Sequence, residues 1–396
     1  MSLKIPIQNL FSWIVKFNII WAVFSPITLA LILSKYELRG LFILKDIVFY
    51  LSFLFLLLLS KSKRLYIYTF LIFLFIVYIL FLTAIFFELK TWIIYNLRQL
   101  ISPILIIGFG FYIKIKDEDK IVEIIRFLYK ISFWVIVIGV IFRLIGMWDY
   151  LSLVNYFNLK GIPVDPRGVS YMFYEPIAFH TERLVSTILD PISLGHIIAT
   201  PLILCYYSVA ITGKKRKKLL FVFFIGLILT FSKGAILQVI LALFFFNKNL
   251  SKLVRFVIPT LFIVMFLMIV NIEGVLIHLI GLKNAIIYLN LFGHGLGMVG
   301  NYAKMFADNL SIYYQFKISD TFIGSVIGQI GLVGFIFWAS FFLPKIRSAI
   351  VGKKVFVGSI IIISQLIIAT ISENTLNFTS FIIPGMISGL LIKKGI

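Results

Sequence analysis

The sequence predicts an all-α, polytopic membrane protein of about twelve transmembrane helices. Three observations lead there. Of 396 residues, 61% are hydrophobic and 13% charged, where a soluble domain of this length carries about a quarter charged residues. Mean hydropathy is +1.07, and 42 Phe and 18 Tyr leave no room for a disordered or fibrous class. Apolar stretches of about 20 residues, the length that crosses a hydrocarbon core, recur along the whole chain. The residues between them do not amount to a separate soluble domain, so 1–396 reads as one transmembrane domain.

In order, the spans fall at about 17–33, 41–60, 65–87, 92–113, 131–148, 184–212, 219–231, 234–247, 256–275, 321–343, 355–372 and 377–392. The net charge of +21 would suggest a polyanion partner if it were spread evenly. It is not. With both termini inside, the inner segments hold 24 of the 37 Lys and Arg, including Lys61-Ser62-Lys63-Arg64 and Lys214-Lys215-Arg216-Lys217-Lys218, and only four acids, Asp117, Glu118, Asp119 and Glu123. The basic excess therefore reports orientation, not nucleic acid. The first apolar run is too long for a cleavable signal and has no small-residue cleavage site. Cys205, in an apolar run, reads as a packing residue.

Two outer connections are long, 149–182 and 273–320, and loops of that length carry function or lack structure. Both mix aromatics, glycine and scattered charges as folded loops do. The second contains Val275-Leu276-Ile277 and Ala285-Ile286-Ile287-Tyr288, short runs suited to helices lying in or dipping into the membrane interface.

Leu219 to Asn247 stands apart. Basic clusters flank it on both sides, so it crosses an even number of times, yet two full spans need about 40 residues. The hairpin must be short, with its tip, Phe231-Ser232-Lys233-Gly234-Ala235, below the outer surface. A Lys at that depth costs about 2.5–3.5 kcal/mol, and irregular backbone is tolerated there only beside protein or a wet cavity. The expectation is an outward-opening polar cavity containing the Lys233 amine.

Arg183, Ser186, Asp190 and Ser193 follow an i, i+3, i+7, i+10 spacing that would share one helix face, with Pro191 loosening the helix at that point. One reading makes Arg183 a phosphate-binding fork at the cavity mouth; the other makes it a snorkelling Arg, with Asp190 capping a broken helix. Gly293-His294-Gly295-Leu296-Gly297 can turn backbone amides toward an anion or form a plain tight turn. His294 can shuttle a proton. Asp320 stands at the mouth of the tenth span, either paired with a cation or accepting a proton. Gly324, Gly328, Gly331 and Gly334 within that span suit close helix packing. Arg98, inside the fourth span, should face the cavity, not lipid, whereas Arg143 can snorkel. Arg167 and His180 are further candidates in the first long loop. The histidines are dispersed, no metal-ligand spacing is present, Asp117-Glu118-Asp119 reads as a cytoplasmic linker, and there is no Walker A motif.

Taken in order, Arg183, Asp190, Pro191 and Gly195, then the Ser232–Ala235 tip, the Gly293–Gly297 loop, Ser319-Asp320 and Gln329, Gly331, Leu332 and Gly334 resemble the bacterial O-antigen polymerase and O-antigen ligase superfamily (Wzy and WaaL types). The likeness covers about 143–343. It implies a GT-C-like fold and metal-independent, cofactor-free glycosyl transfer at the outer face of the cytoplasmic membrane. Donor and acceptor would be glycans on undecaprenyl diphosphate; membrane lipid and a Wzz-like chain-length regulator would be partners. Arg183 and Lys233 map onto cationic positions that engage the diphosphate; the buried position of Arg98 and the glycine spacing of Gly293 and Gly295 make these three candidate diphosphate contacts on residue grounds. The base for the acceptor hydroxyl would be His294, Asp320 or Asp190. Ser319-Asp320-Thr321 lacks the His that ligases place there, which favours the polymerase. The alternatives are a ligase moving the chain to lipid A-core and a flippase for the same lipid-linked units.

Overall fold

The computed structural model describes residues 7–35, 43–60, 62–86, 92–113, 115, 117–160, 162–175, 181–244, 272–300, 316–343 and 357–394. The structure is mostly helical. Among the described residues four helices, Gln8–Lys35, Lys63–Ala84, Glu118–Leu144 and Phe322–Ser340, are long and apolar enough to cross a membrane, and shorter apolar helices accompany them. The expected span at 256–275 lies, up to residue 271, outside the described residues, as do 245–247 at the end of the eighth span and 301–315 of the second long loop.

The helices are α1 (Ile7–Lys35), α2 (Leu44–Ser60), α3 (Lys63–Phe86), α4 (Trp92–Tyr112), α5 (Glu118–Leu144), α6 (Met147–Leu151), α7 (Val154–Leu159), α8 (Pro191–Tyr206), α9 (Gly213–Leu229), α10 (Lys233–Phe244), α11 (Ile272–Ile287), α12 (Phe322–Ser340), α13 (Val357–Ile368) and α14 (Phe378–Lys394). A small hairpin, β1 (Tyr174–Glu175) and β2 (Thr181–Glu182), pairs antiparallel with Tyr174 opposite Glu182. The chain divides into two compact units: Met1–Ser60, Ile113–Val239 and Ile382–Pro384 form one, and Lys61–Tyr112, Ile240–Phe381 and Gly385–Ile396 the other.

In the first unit α5 is the organising helix. Asp117 accepts from the Asp119 amide as its N-cap, acids occupy its first turn and Arg143 its last, the arrangement that complements a helix dipole. Asp117-Glu118-Asp119 thus starts a helix, where the sequence had suggested a linker. Lys16 of α1 meets Glu123 of α5 at 2.6 Å. Small residues let other segments approach closely. A Cβ at Gly139 would come within 2.9 Å of Leu184, and one at Gly226 within 2.5 Å of Ile136.

The first long loop is a folded cap, its short helices α6 and α7 built around an aromatic cluster. Trp148, Tyr156, Phe157 and Phe173 are buried with Val185, Leu189 and α1 residues Ala30 and Leu33, and Trp148 packs edge-on against Phe173 at 4.9 Å. Asp165, Arg167 and Tyr174 tie down its polar rim, Arg167 donating to the carboxylate and to the Tyr174 hydroxyl.

In the second unit, backbone-to-backbone approach dominates. A Cβ at Gly110 of α4 would lie 2.0 Å from the Met386 carbonyl oxygen, and one at Gly358 of α13 2.6 Å from that of Ser388, so only glycine lets these helices meet. Aromatics join α3 to α12, Phe75 meeting Phe337 at 5.2 Å. The opposite face of α3 is apolar and exposed, through Ile67, Phe70, Phe73, Leu74, Val77 and Phe81, which suits a surface against lipid.

The span expected at 184–212 starts late. Residues 183–190 are not α-helical: Ser186–Ile188 make a 3-10 turn, and Ser186 and Leu189 have φ of 57° and 58°. The helix begins only at Pro191, with Asp190 as N-cap accepting from Ile192 at 3.0 Å and Ser193 at 3.3 Å. Pro191 thus initiates α8 and does not loosen it, because its missing N–H falls where a helix has no partner for one. Arg183, Ser186, Asp190 and Ser193 therefore do not share a helix face.

Candidate functional site

Residues 213–244 hold two helices joined by a tight turn. α9 has 17 residues and α10 has 12, rises of about 26 Å and 18 Å. The turn is Thr230–Ser232, with Phe231 at φ 50°, and Lys233 opens α10. The end of α9 leaves carbonyls without intrahelical partners. The segment after β2 supplies them. Leu184 donates its amide to the Leu229 carbonyl at 2.8 Å. Arg183 donates Nε to the Thr230 carbonyl at 2.9 Å and Nη2 to that of Phe231 at 3.2 Å. A guanidinium at the negative end of a helix is favoured on charge as well.

Arg183 thus has two of its five N–H groups committed to the hairpin turn and three left over. It is partly buried; burial draws its pKa down from the ordinary value while Glu175 and Asp190 push it back up. Next to it, Lys233 Nζ lies 3.4 Å from Glu175 Oε1, the carboxylate being buried and the amine side chain 39% exposed. α8 presses against the turn from the other side. A Cβ at Gly195 would sit 2.4 Å from Ser232 Cβ and 2.9 Å from Ala235, so glycine is required for this contact. The first unit thereby assembles two cations, Arg183 and Lys233, with two carboxylates, Glu175 and Asp190. Asp190 is occupied, one oxygen by the Ile192 amide and the other by Ser193 through both amide and hydroxyl.

Glu175 was not among the sequence-derived candidates. It is one of four acids in the first long loop, with Asp149, Asp165 and Glu182, and which of them pairs with Lys233 is set by the β1–β2 register. Deeper in α8, His196 Nδ1 meets Gln238 Oε1 at 2.7 Å with both residues fully buried, a second polar pair the sequence did not mark.

The second unit holds Arg98, His294, Asp320 and the glycine loop. Gly293, Gly295, Gly297 and Gly300 all have φ between 75° and 96°, as a nest would require, but their amides are already used. His294 N donates to the Gly328 carbonyl at 2.8 Å, Gly295 N to that of Gln329 at 3.1 Å, and Gly297 N to the Gln329 side chain at 3.2 Å. Gly293 N donates to Asn290 Oδ1. The anion-nest expectation at Gly293 and Gly295 is therefore corrected: these amides satisfy a broken helix. Gly331, at φ 68° and ψ −174°, interrupts α12, releasing carbonyls upstream and amides downstream. The loop takes up both sets, and Leu332 N and Val333 N donate back to Asn290 and Leu291 at 3.0 and 3.1 Å. Gly331 is thus a helix break, whereas a Cβ at Gly328 would meet Val299 at 2.7 Å, the close packing expected of it.

His294 stacks on Phe316 with centroids 4.1 Å apart, and its Nε2 lies 2.9 Å from the Tyr288 carbonyl oxygen. A carbonyl only accepts, so Nε2 carries the hydrogen and Nδ1 keeps a lone pair. Asp320 has φ 59°, and its carbonyl accepts from His278 Nδ1 at 2.8 Å; Thr321, the next residue, caps α12 through the Gly324 amide at 3.1 Å. Arg98 is partly buried on α4, and the neighbouring Gln99 donates to the buried Glu373 at 3.3 Å. Glu373 and His278 are further polar residues that sequence spacing did not single out. The short runs at 275–277 and 285–287 lie on one helix, α11. His180 lies outside the described residues. Arg167 serves the loop's polar rim.

The sequence matches no protein-family model and no curated protein.

Proposed function

We propose that the protein polymerises undecaprenyl-diphosphate-linked oligosaccharide repeat units into a surface polysaccharide, as the resemblance implies. In this reading it spans the cytoplasmic membrane about twelve times in a GT-C-like arrangement with both termini inside, and works at the outer face. The observation that carries the reading is the Arg183–Lys233 pair with Glu175. Arg183 is held by hydrogen bonds to the carbonyls of the turn that precedes Lys233, and Lys233 by the buried Glu175 carboxylate, whose field also acts on Arg183.

Such a pair suits a diphosphate leaving group. As the acceptor hydroxyl oxygen bonds to the anomeric carbon, the bond from that carbon to the diphosphate oxygen breaks and negative charge moves onto the phosphates. Prepositioned cations stabilise that charge without reorganising. Arg183 offers a planar fork from its remaining donors and Lys233 a point charge. The acceptor proton needs a base. Asp190, His294 and Asp320 are the candidates for it, and Asp190 has both carboxylate oxygens engaged by Ile192 and Ser193.

The deciding experiment is a strain lacking the gene, with its lipid-linked glycans extracted and their length and sidedness determined. Single repeat units on undecaprenyl diphosphate at the outer face, and surface glycan capped at one unit, are expected. Long chains retained on that lipid would replace the polymerase with a ligase. Repeats confined to the inner face would make it a flippase and remove the catalytic roles of Arg183 and Lys233.

A further inference from the structure

A cavity of about 940 Å³ opens in the first unit among Lys16, Glu123, Arg126, Tyr129, Lys130, Phe133, Trp134, Ala210 and Lys215. It is at the opposite end of α5 from Arg143, among the residues that the basic distribution assigns to the inner face. Its lining carries four basic side chains and one acid. Glu123 is taken up by Lys16 at 2.6 Å and Lys120 at 3.3 Å, so the charge facing a ligand comes from Arg126, Lys130 and Lys215.

The cavity is also built in advance. The turn from α8 to α9 forms one wall, with Ser208 and Ala210 at φ 60° and 62°. Two side chains of α5 pin it: Tyr129 donates its hydroxyl to the Val209 carbonyl at 2.7 Å, and Arg126 donates Nε to that of Ala210 at 3.2 Å. That second bond fixes the guanidinium while using one donor of five. One helical turn further into the membrane, the lining changes to Phe133 and to Trp134, which is 57% exposed. Cationic polar groups at headgroup level, followed by aromatics at the hydrocarbon boundary, match the sequence of chemistries along one lipid.

We propose that this cavity is a binding site for a single anionic phospholipid of the inner leaflet. The phosphodiester sits against Arg126, Lys130 and Lys215, and an acyl chain runs along Phe133 and Trp134. Charge selects the occupant: three basic groups around a hydrophobic outlet discriminate an anionic lipid from a zwitterionic one, and the outlet discriminates a lipid from a soluble phosphate. The inference rests on the membrane placement and not on the polymerase reading.

The test uses the full-length protein purified in detergent and titrated with phosphatidylglycerol or phosphatidylcholine, bound lipid being counted by native mass spectrometry. One phosphatidylglycerol is expected to bind at least about tenfold more tightly than phosphatidylcholine. The variant Arg126→Gln/Lys130→Gln/Lys215→Gln should lose that preference, while Lys63→Gln/Lys217→Gln/Lys218→Gln, equal in charge change but outside the cavity, should keep it. Equal affinity of the unmodified protein for the two lipids would overturn the proposal, and this arm does not depend on any variant folding. Equal loss in both triple variants would reduce the site to diffuse surface attraction. Displacement of the lipid by millimolar inorganic phosphate would make it a soluble-phosphate site.

Discussion

Replacing Arg183 separates its structural task from the chemical one proposed for it. The guanidinium donates to Thr230 at 2.9 Å and Phe231 at 3.2 Å, closing the end of α9. Hydrogen bonds from charged groups contribute about 1.5–3 kcal/mol each, and Arg183 is only partly buried, so water recovers some of the loss on truncation. The low end for two bonds, about 3 kcal/mol, is the expected cost of Arg183→Ala. Arg183→Lys keeps the charge and can make one of the two bonds, so about half that cost is expected. On chemistry the two variants should diverge differently. Removing a group that stabilises developing charge costs about 10²–10³ in turnover, and Lys restores the charge without the fork. The assay is polymerisation of purified lipid-linked repeat units, with thermal unfolding in detergent followed on the same samples. Turnover per folded molecule should fall by at least about a hundredfold in Arg183→Ala and recover partly in Arg183→Lys. If the folded fraction of Arg183→Ala turns over at the unmodified rate, Arg183 is only a cap for α9 and the cation-pair mechanism is refuted.

Three other outcomes follow from the geometry. Lys233→Ala strands the buried Glu175 carboxylate, so adding Glu175→Gln should recover about 1 kcal/mol of stability, a modest figure because the Lys is partly exposed; a double variant no more stable than the single one would remove the ion pair from the ledger. Gly331→Ala forces a side chain into backbone territory that glycine alone occupies, at about 1–3 kcal/mol, with its Cβ 2.3 Å from Gly293 N. It should lower the melting midpoint more than Gly334→Ala, whose Cβ has Ile330 side-chain atoms as its nearest neighbours, and an equal drop would mean the helix break is not required. In the first long loop, burial pushes the Asp165 carboxyl up, but hydrogen bonds from Val169 and Arg167 outweigh it and leave the group below the usual carboxylate range. A pKa depressed on folding gives stability that is present above the unfolded value of about 4 and lost as pH falls through the folded one. The protection of the Val169 amide relative to its intrinsic exchange rate, its N–H donating to Asp165 at 2.9 Å, should therefore fall on acidification below pH of about 4, and Asp165→Asn should abolish that dependence.

Much of this protein was determined by its sequence alone, for one reason: a bilayer allows few solutions. Apolar runs become helices because backbone groups have no water to bond. The brevity of the run from Leu219 to Asn247, too short for two full spans, called for a turn near Lys233, and Thr230–Ser232 turn between α9 and α10. Pairings were a different matter. Arg183, Ser186, Asp190 and Ser193 had helical spacing, yet the ends of α9 needed partners, and Arg183 and Leu184 supply them only by leaving the helix. The glycines at 293, 295 and 297 did adopt the positive φ their pattern suggested. Where their amides point was decided by Gly331, far downstream in the chain, because a broken α12 exposes carbonyls that these amides satisfy. The role of Glu175 depended on a two-residue strand pairing too short to leave a periodic trace. Spacing reports what one segment can do by itself; unsatisfied backbone groups on a neighbouring segment decide what it does.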